Sequence, residues 1–229
     1  EALDDGNFTY EFISVDVAGN RVTEGGSFVV DTVSELTWEL SSDSDSGVSG
    51  DKKTNDQTPT FEGLAEVGSQ VTLEINGKQY TVTAGADKSW SIEIPEADKL
   101  PAGKWDYTIT SIDKAGNPKV IEDYVTIDIN SFVTAELIND TGSDGSDGIT
   151  QSSIPQWRGT MEKGSTITLT INNKTYTATN GIVVNSDGTW AFTLPSADEL
   201  ADNKYEWVVR VVDEAGNEAE HRDFITVDT

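Results

Sequence analysis

The chain has 229 residues, enough for one large domain or for two ordinary domains that each bury a core. Acidic residues outnumber basic ones 41 to 15, for a formal charge of −26, so nucleic acid and anionic membranes are poor candidates as partners. The absence of cysteine excludes disulfides and thiolate chemistry. No apolar run approaches the roughly eighteen residues that span a bilayer, so we expect no membrane insertion.

The first 31 residues resemble only the last part of a longer repeat, so we expect the chain to begin inside a domain. The sequence Asp-x-Ala-Gly-Asn occurs three times, starting at Asp16, Asp113 and Asp213. The intervals between these residues are 97 and 100 residues, about the length of one immunoglobulin-like sandwich. A period this long indicates a tandem array of domains. The predicted domains are a truncated C-terminal part of a repeat at 1–31 and complete repeats at 32–129 and 130–229.

Each complete repeat opens with a short predicted strand, at Val33–Leu40 and at Phe132–Ile138, followed by a long polar loop. Alternating apolar runs then flank Asn76-Gly77 and Asn172-Asn173, pairs that are typical of two-residue hairpin turns. The stretches "SWSIEIP" and "TWAFTLP" predict a further strand, and "PEADKL" and "PSADEL" predict one helical turn.

The last two strands of each repeat flank the repeated turn. Apolar side chains alternate before it, as in "KWDYTI", so one face of that strand is predicted to be core. The closing strand ends in a second Asp, always fifteen residues after the first, at Asp31, Asp128 and Asp228. This pattern predicts an all-β fold of tandem immunoglobulin-like Greek-key β-sandwiches with about seven strands each.

Catalytic signatures are scarce in this sequence. The single histidine, His221, lies between Glu220 and Arg222 and is expected to be an exposed strand residue. Thiol and Ser-His catalysis therefore have no repeated site, and the scattered acids imply no cleft for glycoside hydrolysis. We predict that the chain is not an enzyme.

The acidic residues define candidate sites at the domain junctions. In an immunoglobulin-type sandwich the turn between the last two strands lies at the end where the domain begins, and the closing Asp lies at the opposite end. The closing Asp of one repeat should therefore face the repeated turn of the next, where the turns "AEVGS" and "MEKGS" each add a Glu. The predicted clusters are Asp31, Glu66 and Asp113, and Asp128, Glu162 and Asp213.

Carboxylates a few ångströms apart repel one another unless one is protonated or a cation is bound. Oxygen ligands without Cys or His favour calcium over zinc or copper, so the sequence predicts Ca²⁺ at each junction. The alternative is turn chemistry, because Asp binds backbone amides two residues on and Gly-Asn supplies left-handed positions. Asp16 has no preceding repeat in this chain and is predicted to be an empty half-site, and occupancy at Asp228 stays open.

The acids of the polar loops have two possible roles, since they could bind further calcium or remain solvated. These acids are Asp43, Asp45, Asp51 and Asp56 in one loop, and Asp140, Asp144 and Asp147 in the other. The six tryptophans favour packing, because Trp90 and Trp190 are equivalent, and a sugar-stacking platform would require one that faces out. A glycan-binding module and an accessory region of a polysaccharide-active enzyme are therefore the alternative functions.

The stretches "NDQTPTFEG", "AEVGSQVTLEING", "SWSIEIP", "SIDKAGN" and "VTIDI" resemble the bacterial Ig-like repeats of giant secreted adhesins. The resemblance covers the whole chain, although Ile154-Pro155-Gln156 replaces the Thr-Pro-Thr of the family pattern. It implies type I secretion, display at the bacterial surface, and calcium at the junctions of a long rod. Residue by residue, it points to the same six acids as ligands.

The resemblance also implies a role in adhesion, with links to virulence and biofilm. The partners expected are the neighbouring Ig-like repeats of the same chain and a host-surface receptor or glycan. The chain itself is expected to be a monomer.

Overall fold

The computed structural model describes residues 2–142 and 144–229. Within these residues the regular elements are β-strands and two single 3₁₀ turns, so the all-β prediction is confirmed. The 3₁₀ turns, Glu96–Asp98 and Ser196–Asp198, occupy the two segments predicted as helical turns. No helix in the described part of the chain is long and apolar enough to cross a membrane.

The chain divides into two compact units. The first unit comprises the chain up to Glu39, Thr60–Glu93 and Trp105–Tyr124. The second unit comprises Leu40–Pro59, Ile94–Lys104 and Val125–Thr229. Parts of segment 32–129 contribute to both units, and the predicted domain limits stay predictions.

The strands up to residue 129 include both long and two-residue segments. They are β1 (Gly6–Val15), β2 (Arg21–Val30), β3 (Glu39–Leu40), β4 (Lys53–Thr54), β5 (Thr60–Leu64), β6 (Gln70–Ile75), β7 (Lys78–Thr83), β8 (Ser89–Glu93), β9 (Gly103–Ile112) and β10 (Pro118–Ile127). In the first unit β1 and β2 form an antiparallel hairpin, and β5 pairs with β8. Strand β6 pairs with both β7 and β9, again antiparallel.

The strands from residue 130 onwards form two sheets within the second unit. They are β11 (Glu136–Leu137), β12 (Ile149–Thr150), β13 (Gln156–Thr160), β14 (Thr166–Ile171), β15 (Lys174–Thr177), β16 (Val183–Val184), β17 (Thr189–Thr193), β18 (Asn203–Val212) and β19 (Glu218–Val227). One sheet has the order β12-β19-β18-β14-β15 and the other has the order β11-β13-β17-β16. The chain passes repeatedly between the two sheets, as it does in an immunoglobulin-like sandwich.

Aromatic side chains fill the core of this sandwich. Trp157 stacks on Phe192 with ring centroids 5.9 Å apart and lies 5.8 Å from Trp207. Leu169 and Ile225 are fully buried beside them. The inward alternation that the sequence predicts along β18 is therefore present, and burial of these rings contributes to the apolar stabilisation of the segment.

The two predicted hairpin turns are confirmed. Asn76 and Gly77 have φ of +51° and +70°, and Asn172 and Asn173 have φ of +47° and +59°. Both residues of each pair thus adopt the left-handed conformation that a two-residue type I′ turn needs, and Asn and Gly tolerate it best.

The opening strand of each repeat is shorter than predicted. In place of the predicted strand Val33–Leu40, the structure has only the two-residue strand β3 and an isolated bridge between Leu36 and Ala65. The Thr37 hydroxyl accepts the Leu64 N–H at 3.0 Å, where a ladder would use a backbone carbonyl. A side chain that captures a strand amide interrupts the ladder at that point. Thr134 and Thr160 repeat this arrangement in the predicted strand Phe132–Ile138.

The hairpin β1-β2 has no third strand among the described residues. Phe12 is 69% exposed, whereas Ile109, at the same position of the next repeat, is 0% exposed. Tyr10 is likewise exposed, so the apolar face predicted as core is uncovered in this first segment. Ring contacts within the hairpin itself, such as Phe8 on Phe28 at 5.6 Å, provide its packing.

Candidate metal centre

All three Asp-x-Ala-Gly-Asn turns close on themselves through the same hydrogen bonds. The Asn20 N–H donates to Asp16 Oδ1 at 2.9 Å, and Asn20 Nδ2 donates to Asp16 Oδ2 at 2.7 Å. Asn117 and Asn217 make the corresponding bonds to their Asp at 2.8–2.9 Å. Each turn is therefore formed by its own side chains, as the turn-chemistry alternative requires.

Only the glycine of each turn adopts a left-handed conformation. Gly19, Gly116 and Gly216 have φ of +86°, +95° and +85°. The following Asn was predicted to share that role, and this prediction is wrong because Asn117 and Asn217 have negative φ. The Asn side chain is required instead as a hydrogen-bond donor to the Asp.

The first predicted cluster is assembled within the first unit. Asp31, Glu66 and Asp113 each offer a carboxylate oxygen, and these oxygens lie within 4.8 Å of one another. Asp113 is buried and the other two are half-buried. Asp31 directly follows β2, Asp113 directly follows β9, and Glu66 lies in the turn before β6, so strand ends position all three.

The second predicted cluster has the same construction within the second unit. Oxygens of Asp128, Glu162 and Asp213 lie within 4.8 Å of one another, and Asp213 is the buried member. Asp128 follows β10, Asp213 follows β18, and Glu162 lies in the turn before β14. The fold therefore brings together both sets of acids that the sequence predicts to meet.

In the second and third turns an asparagine links the turn to the closing Asp of the preceding repeat. Asn117 Nδ2 donates to the backbone carbonyl of Asp31 at 2.9 Å, and Asn217 Nδ2 donates to that of Asp128 at 2.8 Å. Sequence reasoning missed this contact, although the constant spacing of four residues between the turn Asp and its Asn is a signal for it. Because this bond needs no cation, it fixes the spacing of the carboxylates in advance.

The electrostatics of the second cluster are unfavourable to three charged acids. Burial raises the pKa of Glu162, and the negative charges of Asp128 and Asp213 raise it further. Lys53 opposes this effect and Glu214 adds to it. The charged form of Glu162 is thus disfavoured, which a bound cation would relieve.

Asp113 shows the opposite balance in the first cluster. Burial is the largest single effect and raises the pKa of Asp113, but hydrogen bonds from the Asn117 side chain and from backbone N–H groups of the turn outweigh it. The net pKa of Asp113 is lowered. A buried acid held ionised by its own turn is suited to be a permanent cation ligand.

The remaining predicted acids do not join such clusters. Among the described residues, the groups of three acids with mutually close oxygens are the two above, and Asp16 and Asp228 belong to neither. The same holds for the loop acids Asp43, Asp45, Asp51, Asp56, Asp140, Asp144 and Asp147. Several of them hold their own loops instead, since Asp45 accepts the Gly50 N–H at 2.8 Å and Asp140 accepts the Gly148 N–H at 3.0 Å.

None of the six tryptophans is exposed. Trp38 and Trp105 are half-buried, and Trp90, Trp157, Trp190 and Trp207 are buried. Trp38 packs edge-on against Tyr107 at 5.1 Å. His221, expected to be exposed, is half-buried and stacks on Trp207 at 5.3 Å.

The fold and the two acidic clusters define a class of protein, a tandem of β-sandwiches with carboxylates gathered at the turn before the last strand. The family model described as bacterial Ig-like domain matches residues 32–129 and 126–229. The chain therefore belongs to the bacterial Ig-like domain family. No match was found among curated proteins.

Several solved structures of repeat proteins are similar to this chain. One is a Ca²⁺-stabilised adhesin that helps an Antarctic bacterium reach out and bind ice, with 29% identity over 97% of this chain and 57% of its own chain, and a TM-score of 0.39. A 1.5-MDa bacterial ice-binding adhesin is 24% identical over 98% of this chain and 74% of its own, with a TM-score of 0.41. A tetra-tandem repeat from the extending region of a large adhesion protein is 22% identical over 99% and 57%, with a TM-score of 0.37.

Proposed function

We propose that this chain is a repeat segment of a bacterial surface adhesin, in which calcium at the acidic clusters rigidifies an extracellular rod. The observation that carries the proposal is the duplicated cluster that joins a closing-strand Asp, a turn Glu and the Asp of the repeated turn. Two copies built from the same three positions are hard to explain by turn chemistry, which requires only the last of the three acids.

The donor set favours calcium among the common protein-bound cations. Each cluster offers carboxylate oxygens and no nitrogen or sulfur ligand, which is the chemistry of a hard cation that takes six to eight oxygens. Asp31, Glu66 and Asp113 would hold one ion, and Asp128, Glu162 and Asp213 the other. Water and backbone carbonyls would complete the coordination.

The size of the calcium effect follows from mass action. For a site with a dissociation constant near ~10⁻⁵ M, within the range of calcium modules, about 1 mM calcium stabilises the folded state by roughly 2.7 kcal/mol. Since the chain has no cysteine, such an ion would supply the cross-link that disulfides give to other extracellular domains.

The wider role belongs to the same proposal. The chain acts without catalysis and as a monomer, its partners are adjacent Ig-like repeats and a host receptor or surface glycan, and its parent is exported by type I secretion to the bacterial surface. The high tryptophan content without cysteine further suggests similarity to the giant non-fimbrial adhesin of Salmonella. The glycan-binding alternative is less well supported, because no tryptophan is exposed.

The decisive experiment compares the chain in calcium and in chelator. Small-angle X-ray scattering and urea unfolding are measured for the parent chain and for Asp113→Ala and Asp213→Ala, with Asp16→Ala as matched control because Asp16 forms the same turn outside any cluster. We expect calcium to stabilise and stiffen the parent and the control but to have a reduced effect on the two cluster variants. Identical scattering and stability of the parent chain with and without calcium would overturn the proposal.

A further inference from the structure

A second set of contacts joins the polar loop of residues 44–54 to the turn of residues 213–217. Both segments lie in the second unit. Ser46 Oγ donates to the Ala215 carbonyl at 2.6 Å, and the Val48 N–H donates to the Glu214 carbonyl at 2.9 Å. These bonds use backbone groups of the turn that the acidic cluster leaves free.

Gly47 is the point of closest approach. Its φ is +70°, and a Cβ added there would lie 2.1 Å from the Glu214 carbonyl oxygen and 2.6 Å from the Gly216 nitrogen. The contact is therefore backbone against backbone, and only glycine allows it. Gly50, in the same loop with φ of +80°, has nothing within 4 Å of its added Cβ.

A lysine next to this contact recognises the side chain of the turn. Lys53 forms an ion pair with Glu214, and both side chains are partly exposed. Strand β4 fixes the position of Lys53, because it pairs in parallel with β10 and places Lys53 beside Thr126. An exposed pair of this kind contributes little to affinity, but a like charge at either position would be repelled.

The position that Lys53 contacts is the variable one in the repeated turn. The residue after the Asp is Val17, Lys114 or Glu214 in the three copies. The residue at the position of Lys53 also differs between repeats. Ile149 is its equivalent, because Ile149 pairs with Thr226 as Lys53 pairs with Thr126. The side chains at these two positions therefore change from one repeat to the next, from Lys53 to Ile149 and from Val17 to Lys114 to Glu214.

We propose that residues 44–54 form a docking surface for the Asp-x-Ala-Gly-Asn turn of the following repeat, and that Lys53 selects turns with an acidic residue after the Asp. The surface holds the turn by hydrogen bonds and close backbone packing, so it acts without a bound cation. It thereby specifies which repeat sequence fits next to which. This inference does not rest on the calcium proposal.

The first test measures hydrogen exchange of the Val48 amide in chelator, because this N–H donates directly to Glu214. We expect protection in the parent chain, at least a tenfold faster exchange in Gly47→Ala, and near-parental exchange in Gly50→Ala, which carries the same backbone strain outside the contact. An unprotected Val48 amide in the metal-free parent, or equal effects of the two variants, would overturn the docking surface.

The second test is a double-mutant cycle of Lys53→Glu and Glu214→Lys, again in chelator. The charge-swapped double variant should recover stability relative to the sum of the single variants, with a coupling of about two- to fivefold in the unfolding equilibrium constant. Strictly additive effects would refute selection by Lys53. Calcium dependence is read in a separate experiment, so failure of either proposal leaves the other distinguishable.

Discussion

The side chain of Asn117 donates to the backbone carbonyl of Asp31, 86 residues earlier in the chain, at 2.9 Å. The same amide nitrogen donates to Asp113 within its own turn at 2.8 Å. One side chain thus ties the turn to the residue that follows the closing strand of the preceding repeat, and Asn217 repeats the link to Asp128. These bonds bring the acids of each cluster together without a bound cation.

Replacing Asn117 with Ala should therefore weaken the link and the turn together. We expect a loss of about 1–2 kcal/mol in the free energy of unfolding, since two net hydrogen bonds are removed. Asn20→Ala is the matched control. In the described part of the chain, the Asn20 side chain donates only to Asp16 of its own turn. Urea unfolding in chelator measures both variants, and an equal loss in the two would contradict a role for the bond to Asp31.

Replacing Glu162 with Gln should have opposite effects with and without calcium. The pKa of Glu162 is raised, so its charge destabilises the folded chain above the ordinary carboxyl value of 4.5, and protonation removes that penalty as the pH falls. In chelator at neutral pH the Glu162→Gln variant should be more stable than the parent, and the difference should shrink on acidification. In calcium the variant should be less stable, because a ligand is lost.

Thermal unfolding across a pH series, with Glu93→Gln as an exposed control, checks the Glu162 prediction. For Asp113 in the first cluster we expect the opposite dependence of stability on pH. Its pKa is lowered from 3.8, so its ionised form stabilises the folded chain above that value, and this contribution is lost as the pH falls below it. A Glu162→Gln variant that is less stable than the parent in chelator at neutral pH would show that burial and the neighbouring acids do not destabilise the charged form of Glu162.

Gly63→Ala and Gly159→Ala should both be strongly destabilising. A Cβ at these positions would lie 2.1 Å from the Thr37 carbonyl oxygen and 1.8 Å from that of Thr134, and both obstacles are backbone. Forcing such overlap typically costs about 1–3 kcal/mol. Gly145→Ala is the control because nothing lies within 4 Å of its added Cβ. Circular dichroism melting curves close to the parental one for Gly63→Ala would refute the packing argument.

The first hairpin and its counterpart in the next repeat should respond differently to the same truncation. Ile109→Ala should cost about 2–5 kcal/mol because the side chain is fully buried, whereas Phe12→Ala should change stability by no more than about 0.5 kcal/mol. Urea unfolding measures both. A large loss for Phe12→Ala would mean that the exposed face of the hairpin is covered in solution.

The sequence predicted those features that depend on local spacing. The turn residues Asn76-Gly77 and the inward position of Ile109 follow from backbone preference and two-residue alternation. The cluster of Asp31 with Asp113 was predictable because sandwich topology decides which strand ends share an edge.

The missed features depend on contacts between distant residues. The opening strand was predicted too long because capture of the Leu64 amide by the Thr37 hydroxyl leaves no periodic signal. The close approach of Gly47 to Glu214 likewise leaves no signal in the sequence, since a glycine in a polar loop is compatible with many conformations.

The self-closing turn has a consequence for assembly of the repeats. At Asp16 the turn makes its internal bonds although no cluster forms there among the described residues, so its shape does not depend on a neighbour. A joint built on such a turn loses little conformational entropy when the adjoining segment arrives. In a tandem chain each turn can therefore reach its final shape before the segment that packs against it has folded.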